Sequence, residues 1–219
     1  MPSRSPAEQI VAAGRRLGAR GLIAAGEGNI SARLEGGLLL ITPSGRRKDE
    51  LEERDLLEIP SALEPGPSGV EASGGTPRPS SDVAIHRAVY AARSDVGAVV
   101  HAHLPAAMAL TLAGEIPDPA ALPETALLLP RLPFVPFATP GSPALAAAIA
   151  AALAEGPTPL PQAVLLERHG AVAVGATVDE AVDRLELVEV LCRTWREALL
   201  IRLAATGADR GTILRPASQ

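Results

Sequence analysis

The chain has 219 residues, of which 47% are hydrophobic, 21% charged and only 2% aromatic, and its formal net charge is −5. That length buries a substantial core unaided, while a single cysteine, Cys192, excludes a disulfide framework and a cysteine-built zinc site. The acidic balance argues against nucleic-acid or anionic-membrane partners, no apolar run reaches the ~18 residues of a membrane span, and the arginine-bearing Met1–Arg20 lacks a signal-peptide core, so a cytoplasmic protein is expected.

In chain order, Ala7–Ala19 reads as a helix with Ile10, Val11 and Leu17 on its apolar side. Gly26-Glu27-Gly28-Asn29-Ile30-Ser31 reads as a small-residue turn, and Leu38–Thr42 as a short strand between Gly36-Gly37 and Pro43. The Pro-, Gly- and Ser-rich stretch from Ile59 to Ser80 reads as a long loop. Ser80-Ser81-Asp82 offers N-caps for a helix containing Val83, Ile85 and Val89. Asp95–His101 reads as a buried strand, Pro105–Leu112 as a helix opened by proline, and Phe134–Phe137 as a short edge strand. Ala144–Glu155 reads as an Ala-rich helix. Ala163–Leu166 and Ala171–Gly175 form a strand pair joined through Glu167-Arg168-His169-Gly170, and Val178–Thr206 closes the chain as a long helix. Interleaved strands and helices make the fold class α/β or α+β, in one domain.

Three of the four histidines stand out. His101 and His103 lie two apart at a strand end, so a period of two puts both imidazoles on one face. His169 falls on a tight turn, and Gly170 lets its backbone approach closely. Three neutral imidazoles with an open fourth position is the pattern of a catalytic divalent-metal site. His86 lies inside a helix and reads as structural. Three further stretches carry anion-binding features: the Gly26–Ser31 turn, Thr42-Pro43-Ser44-Gly45, and Ser80-Ser81 at a helix N-terminus. Two carboxylates complete the set. Asp82 reads as an N-cap or first-turn dipole partner; Glu124, beside the apolar run to Pro130, is a helix-start residue or an acid/base with a raised pKa. Cys192 reads as a buried small hydrophobe, and Arg46-Arg47-Lys48 as a solvated loop in preference to a run that attracts a phosphate.

Taken in order, these segments resemble the class II aldolase/adducin superfamily. The resemblance rests on Gly28-Asn29-Ile30-Ser31, Ile41-Thr42-Pro43-Ser44-Gly45, Ser80-Ser81-Asp82 with His86, the run from Asp95 to His103, and Arg168-His169-Gly170 before a long helix. It spans roughly Ala7 to Ala204. It implies a three-layer α/β/α fold around a largely antiparallel mixed sheet, one domain over 1–219, and a homotetramer with active sites between subunits. It also implies His101, His103 and His169 as ligands of a divalent metal (zinc, or manganese or cobalt). Asn29, Ser44, Gly45, Ser80 and Ser81 would be the phosphate-binding set, and Asp82 the acid/base beside the metal.

The activity so implied is a class II aldolase that cleaves a small ketose phosphate, similar to L-fuculose 1-phosphate, into dihydroxyacetone phosphate and an aldehyde through a metal-stabilised enediolate. Three departures bring in alternatives. Asp82 stands where such aldolases carry Glu, and L-ribulose-5-phosphate 4-epimerases carry Asp there as a metal ligand. The tyrosine proton donor of both groups has no match, because Tyr90 is the single tyrosine. Glu124 falls about where methylthioribulose-1-phosphate dehydratases have a catalytic Glu, which makes dehydration the main alternative. A non-catalytic adducin-like module is the reading from another class.

Overall fold

The computed structural model describes residues 4–62 and 77–211, with side chains as far as residue 205. Most of the loop expected between Ile59 and Ser80 therefore lies outside the described residues. The first helix, α1 (Pro6–Ala19), starts with a capping box: the Ser5 hydroxyl accepts from Glu8 N–H, and the Glu8 carboxylate accepts from Ser5 N–H. Then come the strands β1 (Asn29–Arg33), β2 (Leu38–Ile41) and β3 (Leu57–Pro60), followed by the helix α2 (Val83–Ala92) and the strand β4 (Ala98–Ala102). The helices α3 (Pro105–Leu112) and α4 (Pro123–Leu128) precede β5 (Phe134–Val135) and α5 (Pro143–Ala154). The chain ends in β6 (Ala163–Leu166), β7 (Gly170–Gly175) and the long helix α6 (Val178–Gly211).

The seven strands form one sheet in the order β3-β2-β1-β4-β7-β6-β5, antiparallel throughout except for the parallel β5–β6 pair. Alternation along the central strands divides the core. Ile30, Val100 and Ala173 face α1, α3 and α6, whereas Val99, Val172 and Val174 face α2 and α5. The result is an α/β/α sandwich, as expected. Both faces are covered, so β4, β6 and β7 are buried at every residue. With two phenylalanines, one tryptophan and one tyrosine in the whole chain, Leu, Ile, Val and Ala fill this core.

Three expectations need correction. Residues 29–31 are not part of a turn: they open β1, a central strand, and the turn ends at Gly28. Ile59 and Pro60 are not loop but the end of edge strand β3, where a proline is tolerated because one side of the strand makes no ladder bonds. The apolar run after Glu124, given no element in the sequence reading beyond Glu124 as a helix start, folds as the helix α4. Asp82 does sit at the N-cap of α2, but its side chain makes no capping bond.

Helix α1 crosses the 3₁₀ turn Lys48–Glu50 at very short range. A Cβ on Gly14 would overlap the Lys48 carbonyl oxygen, and one on Gly18 would lie 2.6 Å from Asp49 Cβ. Helix propensity alone would make Gly14→Ala stabilising by up to about 1 kcal/mol. The collision with backbone reverses the sign, and a net loss of about 1–3 kcal/mol is expected in urea unfolding of the variant.

Candidate functional site

The site forms where β1, β4 and the β6–β7 turn meet at one end of the sheet. Pairing of β1 with β4 sets Asn29 opposite His101, and pairing of β4 with β7 sets His101 opposite Val172. Gly170 then brings in the turn. Its φ is +90°, and a Cβ there would overlap Ala102 O and lie 2.8 Å from His103 Cα. Only glycine permits this approach. Arg168 also takes a positive φ of 57°, and its N–H donates to Thr111 Oγ1 on α3 at 3.0 Å, which pins the turn.

The rings of His101, His103 and His169 consequently surround one point. Their centroids are 4.8–5.0 Å apart, and one ligating nitrogen from each lies within 4.8 Å of the other two. His101 Nδ1 bonds to Ala171 O at 3.0 Å, and a carbonyl can only accept, so Nδ1 carries the proton and Nε2 offers its lone pair. Burial, reinforced by the neighbouring imidazoles, holds the His101 pKa well below the usual histidine value; burial and His103 lower that of His169. These two rings are therefore uncharged at neutral pH, as metal ligation requires.

Four buried side-chain polar atoms lack a hydrogen-bond partner among the described residues, and three of them are here: Asp82 Oδ1, His101 Nε2 and His169 Nδ1. Each such atom costs about 1–3 kcal/mol if nothing meets it. Unpartnered nitrogens on two rings of a three-histidine cluster fit a divalent cation, which would satisfy them. Asp82 Oδ2 lies 3.9 Å from His101 Nε2, within reach of the same centre.

Asp82 is held from behind by a chain of buried hydrogen bonds whose directions follow from one end. A carboxylate only accepts, so Asn29 Nδ2 donates to Asp82 Oδ2 at 3.0 Å and Asn29 Oδ1 must accept from His86 Nε2–H. His86 Nδ1 then accepts from Ser31 Oγ–H at 2.6 Å, and Ser31 Oγ accepts from the Tyr90 hydroxyl at 2.9 Å. Burial lowers the His86 pKa to about 3 and raises that of Tyr90, so both stay neutral as this scheme requires. His86 is structural, as expected, but its structural role reaches the site.

In front of the histidines is a cavity of about 170 Å³. Asn29, Ser44, Gly45, Ser80, Ser81 and Asp82 all line it, with His103 and His169, so the structure brings together nearly every site residue expected from sequence. His101 lies beneath. Glu124 is not among the lining residues; it sits exposed in the first turn of α4. Lys48 does line the cavity and is only 2% exposed, which corrects its reading as part of a solvated loop. The signal is present in the sequence: Gly14 and Gly18, four apart, give α1 a flat face to lay over it. A larger cleft of about 490 Å³, lined by Arg46, Arg54 and Arg78 among others, touches this cavity at Ser44 and contains none of the histidines.

Known proteins resemble this chain over most of its length. The model of the Class II Aldolase and Adducin N-terminal domain family matches residues 8–196. The chain is 34% identical to a 3-oxo-tetronate 4-phosphate decarboxylase of Cupriavidus necator, covering 86% of this chain and 82% of the relative. It is 36% identical to a methylthioribulose-1-phosphate dehydratase of Acidiphilium cryptum, covering 85% and 88%. Among solved structures, L-fuculose-1-phosphate aldolase from Thermus thermophilus superposes with a TM-score of 0.74 at 31% identity, covering 90% of this chain and 95% of that one.

The buried histidines have a consequence for stability. His86 stays neutral in the native state down to about pH 3, whereas in the unfolded chain it takes up a proton below about 6.5. The unfolded state then binds more protons, so stability falls as pH drops through that interval, by at most about 1.4 kcal/mol per unit from His86. His101 and His169 act in the same direction. Urea unfolding of metal-free protein is expected to show this loss beginning near pH 6.5, before the carboxylates protonate.

Proposed function

The chain belongs to the class II aldolase and adducin family, and we propose that it is a divalent-metal-dependent lyase that cleaves a small ketose phosphate by a retro-aldol step. The observation that carries this reading is the convergence of three imidazoles, two of them with an unpartnered nitrogen, beside a cavity rimmed by serines and glycines. His101, His103 and His169 would hold the ion, zinc in the first instance, with manganese or cobalt acceptable to the same donors. Such an ion supplies Lewis-acid stabilisation of the negative charge that develops beside a carbonyl when the neighbouring bond breaks.

The protein's own groups do the rest. Ser44, Gly45, Ser80 and Ser81, with Asn29 at their edge, bind the phosphoryl group and fix the distance from it to the reacting carbons. Asp82 takes the hydroxyl proton as the carbon–carbon bond opens: Asn29 holds its Oδ2, and Oδ1, which has no hydrogen-bond partner, is the oxygen left to act as the base. With Tyr90 buried in the chain behind Ser31, no tyrosine reaches the site among the described residues, and water or Asp82 itself returns the proton.

The second reading is dehydration, favoured by the 36% identity to a methylthioribulose-1-phosphate dehydratase. It needs a second acid/base, and Glu124 could act only from outside this chain's cavity, across a subunit boundary. The exposed apolar side chains Leu127 and Leu128 beside it, with Leu200 on α6, suit the contacts of a homotetramer.

Proton NMR of zinc-loaded protein with L-fuculose 1-phosphate, L-ribulose 5-phosphate and methylthioribulose 1-phosphate tests this. Release of an aldehyde with dihydroxyacetone phosphate or glycolaldehyde phosphate is expected. A dehydrated diketone without cleavage overturns the aldol reading in favour of dehydration, and an epimer points to Asp82 as a metal ligand. Protein that takes up no stoichiometric zinc or manganese would instead be a binding module.

Among variants, His101→Ala is expected to lose both metal and turnover, read by metal analysis and assay. Asp82→Asn should keep the metal while kcat falls about 10²- to 10⁴-fold. Glu124→Gln should be nearly silent for cleavage and crippling for dehydration.

A further inference from the structure

Lys48 is the single lysine of a chain whose 20 basic residues are otherwise all arginine. It is also a buried one, only 2% exposed. Its ammonium donates to Gly26 O at 2.8 Å and to Arg46 O at 2.7 Å, and it forms no ion pair with any carboxylate among the described residues. An ammonium has three hydrogens, so one remains after these two bonds. The two accepting carbonyls belong to different turns: Gly26 to the turn before β1, and Arg46 to the turn through Ser44 and Gly45. These turns touch, since a Cβ on Gly26 would lie 3.3 Å from Gly45 Cα. Both line the cavity in front of the histidines, and so does Lys48.

Charge gives the placement a consequence for binding. Apart from Lys48, the charged residues lining that cavity are Glu27 and Asp82, both acidic, and the imidazole of His169 is neutral at pH 7. Without the lysine, the serine- and glycine-rimmed end would offer a dianion only neutral donors next to two carboxylates. A buried cation lacking a counter-ion is unfavourable in isolation, and burial accordingly lowers the Lys48 pKa. An anion in the cavity would remove that penalty.

We propose that Lys48 is the fixed cation of this cavity, binding its two turns together and giving it a preference for a doubly charged phosphoryl group. The proposal rests on the phosphate-binding reading above and assigns to it a residue outside the serine and glycine set.

Because there is one lysine, metal-loaded full-length protein labelled with ¹³Cε-lysine gives a single side-chain signal, which can be followed during titration with inorganic phosphate. A saturable shift of that signal is expected. A signal that does not move overturns the proposal, whether or not the protein turns over any ketose phosphate. Turnover with none of the tested sugars, alongside a moving lysine signal, would sink the aldolase reading and leave Lys48 in place. In Lys48→Met, which keeps the stem and removes the charge, KM for a phosphorylated substrate and Ki for inorganic phosphate should rise about 10- to 100-fold, with bound zinc unchanged and kcat affected far less. Folded Lys48→Met with both constants within about twofold of the parent would reduce the lysine to a packing element and overturn the proposal. If that variant does not fold, the titration of the unmutated protein decides.

Discussion

Everything at this site depends on one close approach of two backbone segments. The β6–β7 turn passes so near the end of β4 that Gly170 has no room for a side chain against Ala102 O and His103 Cα. The antiparallel β4–β7 ladder fixes the register, and the glycine permits the last step of approach. Three imidazoles are then neighbours for geometric reasons, before any ion is present. Their crowding is unfavourable in the metal-free chain, since burial and mutual proximity suppress protonation and leave nitrogens unpartnered. That penalty is a form of preorganisation, because a cation that binds removes it.

A second constraint lies behind the first. The sheet's alternation directs Asn29 and Ser31 towards α2, where His86 and Tyr90 are buried. Once Asp82 is a carboxylate, every proton in the run from Tyr90 to Asp82 has a determined position. The run cannot reverse without placing a hydrogen on the carboxylate. This stiffens Asp82 at one oxygen and leaves the other without a partner, at a helix N-terminus that its side chain does not cap.

How much of this is legible in the sequence follows from the range of the physics involved. His101, His103 and His169 are visible because strand period and a turn glycine are local signals. The serine and glycine turns are visible for the same reason, and the family resemblance arranges them in space. β1 is hidden because Asn29-Ile30-Ser31 follows two glycines and reads as turn; it is a strand only because β2 and β4 pair with it on both sides. β3 is hidden by a proline that an edge strand tolerates. Lys48 looks solvated because its burial is caused by α1, about thirty residues away in sequence, and local charge gives no hint of that. Glu124 stands out from its distance to the histidine pair along the chain, and α4 carries it to the surface instead.

The two ends of the cavity differ in kind, and that difference orients a substrate. At one end three imidazoles and Asp82 form a donor-rich floor; at the other, serine hydroxyls, turn backbone and one lysine form an acceptor-seeking rim. A phosphorylated ketose has the matching polarity, with oxygens that can face a cation at the carbonyl end and a dianion at the other. Reversing it would place the phosphoryl group beside Asp82 and the polyol beside the buried ammonium, which is unfavourable at both ends. The cavity's small size of about 170 Å³ then limits what lies between them to a few carbons. Asp82 stands at the imidazole end and Asn29 fixes it there, so a ligand in this orientation would present its carbonyl end to the carboxylate able to exchange a proton with it.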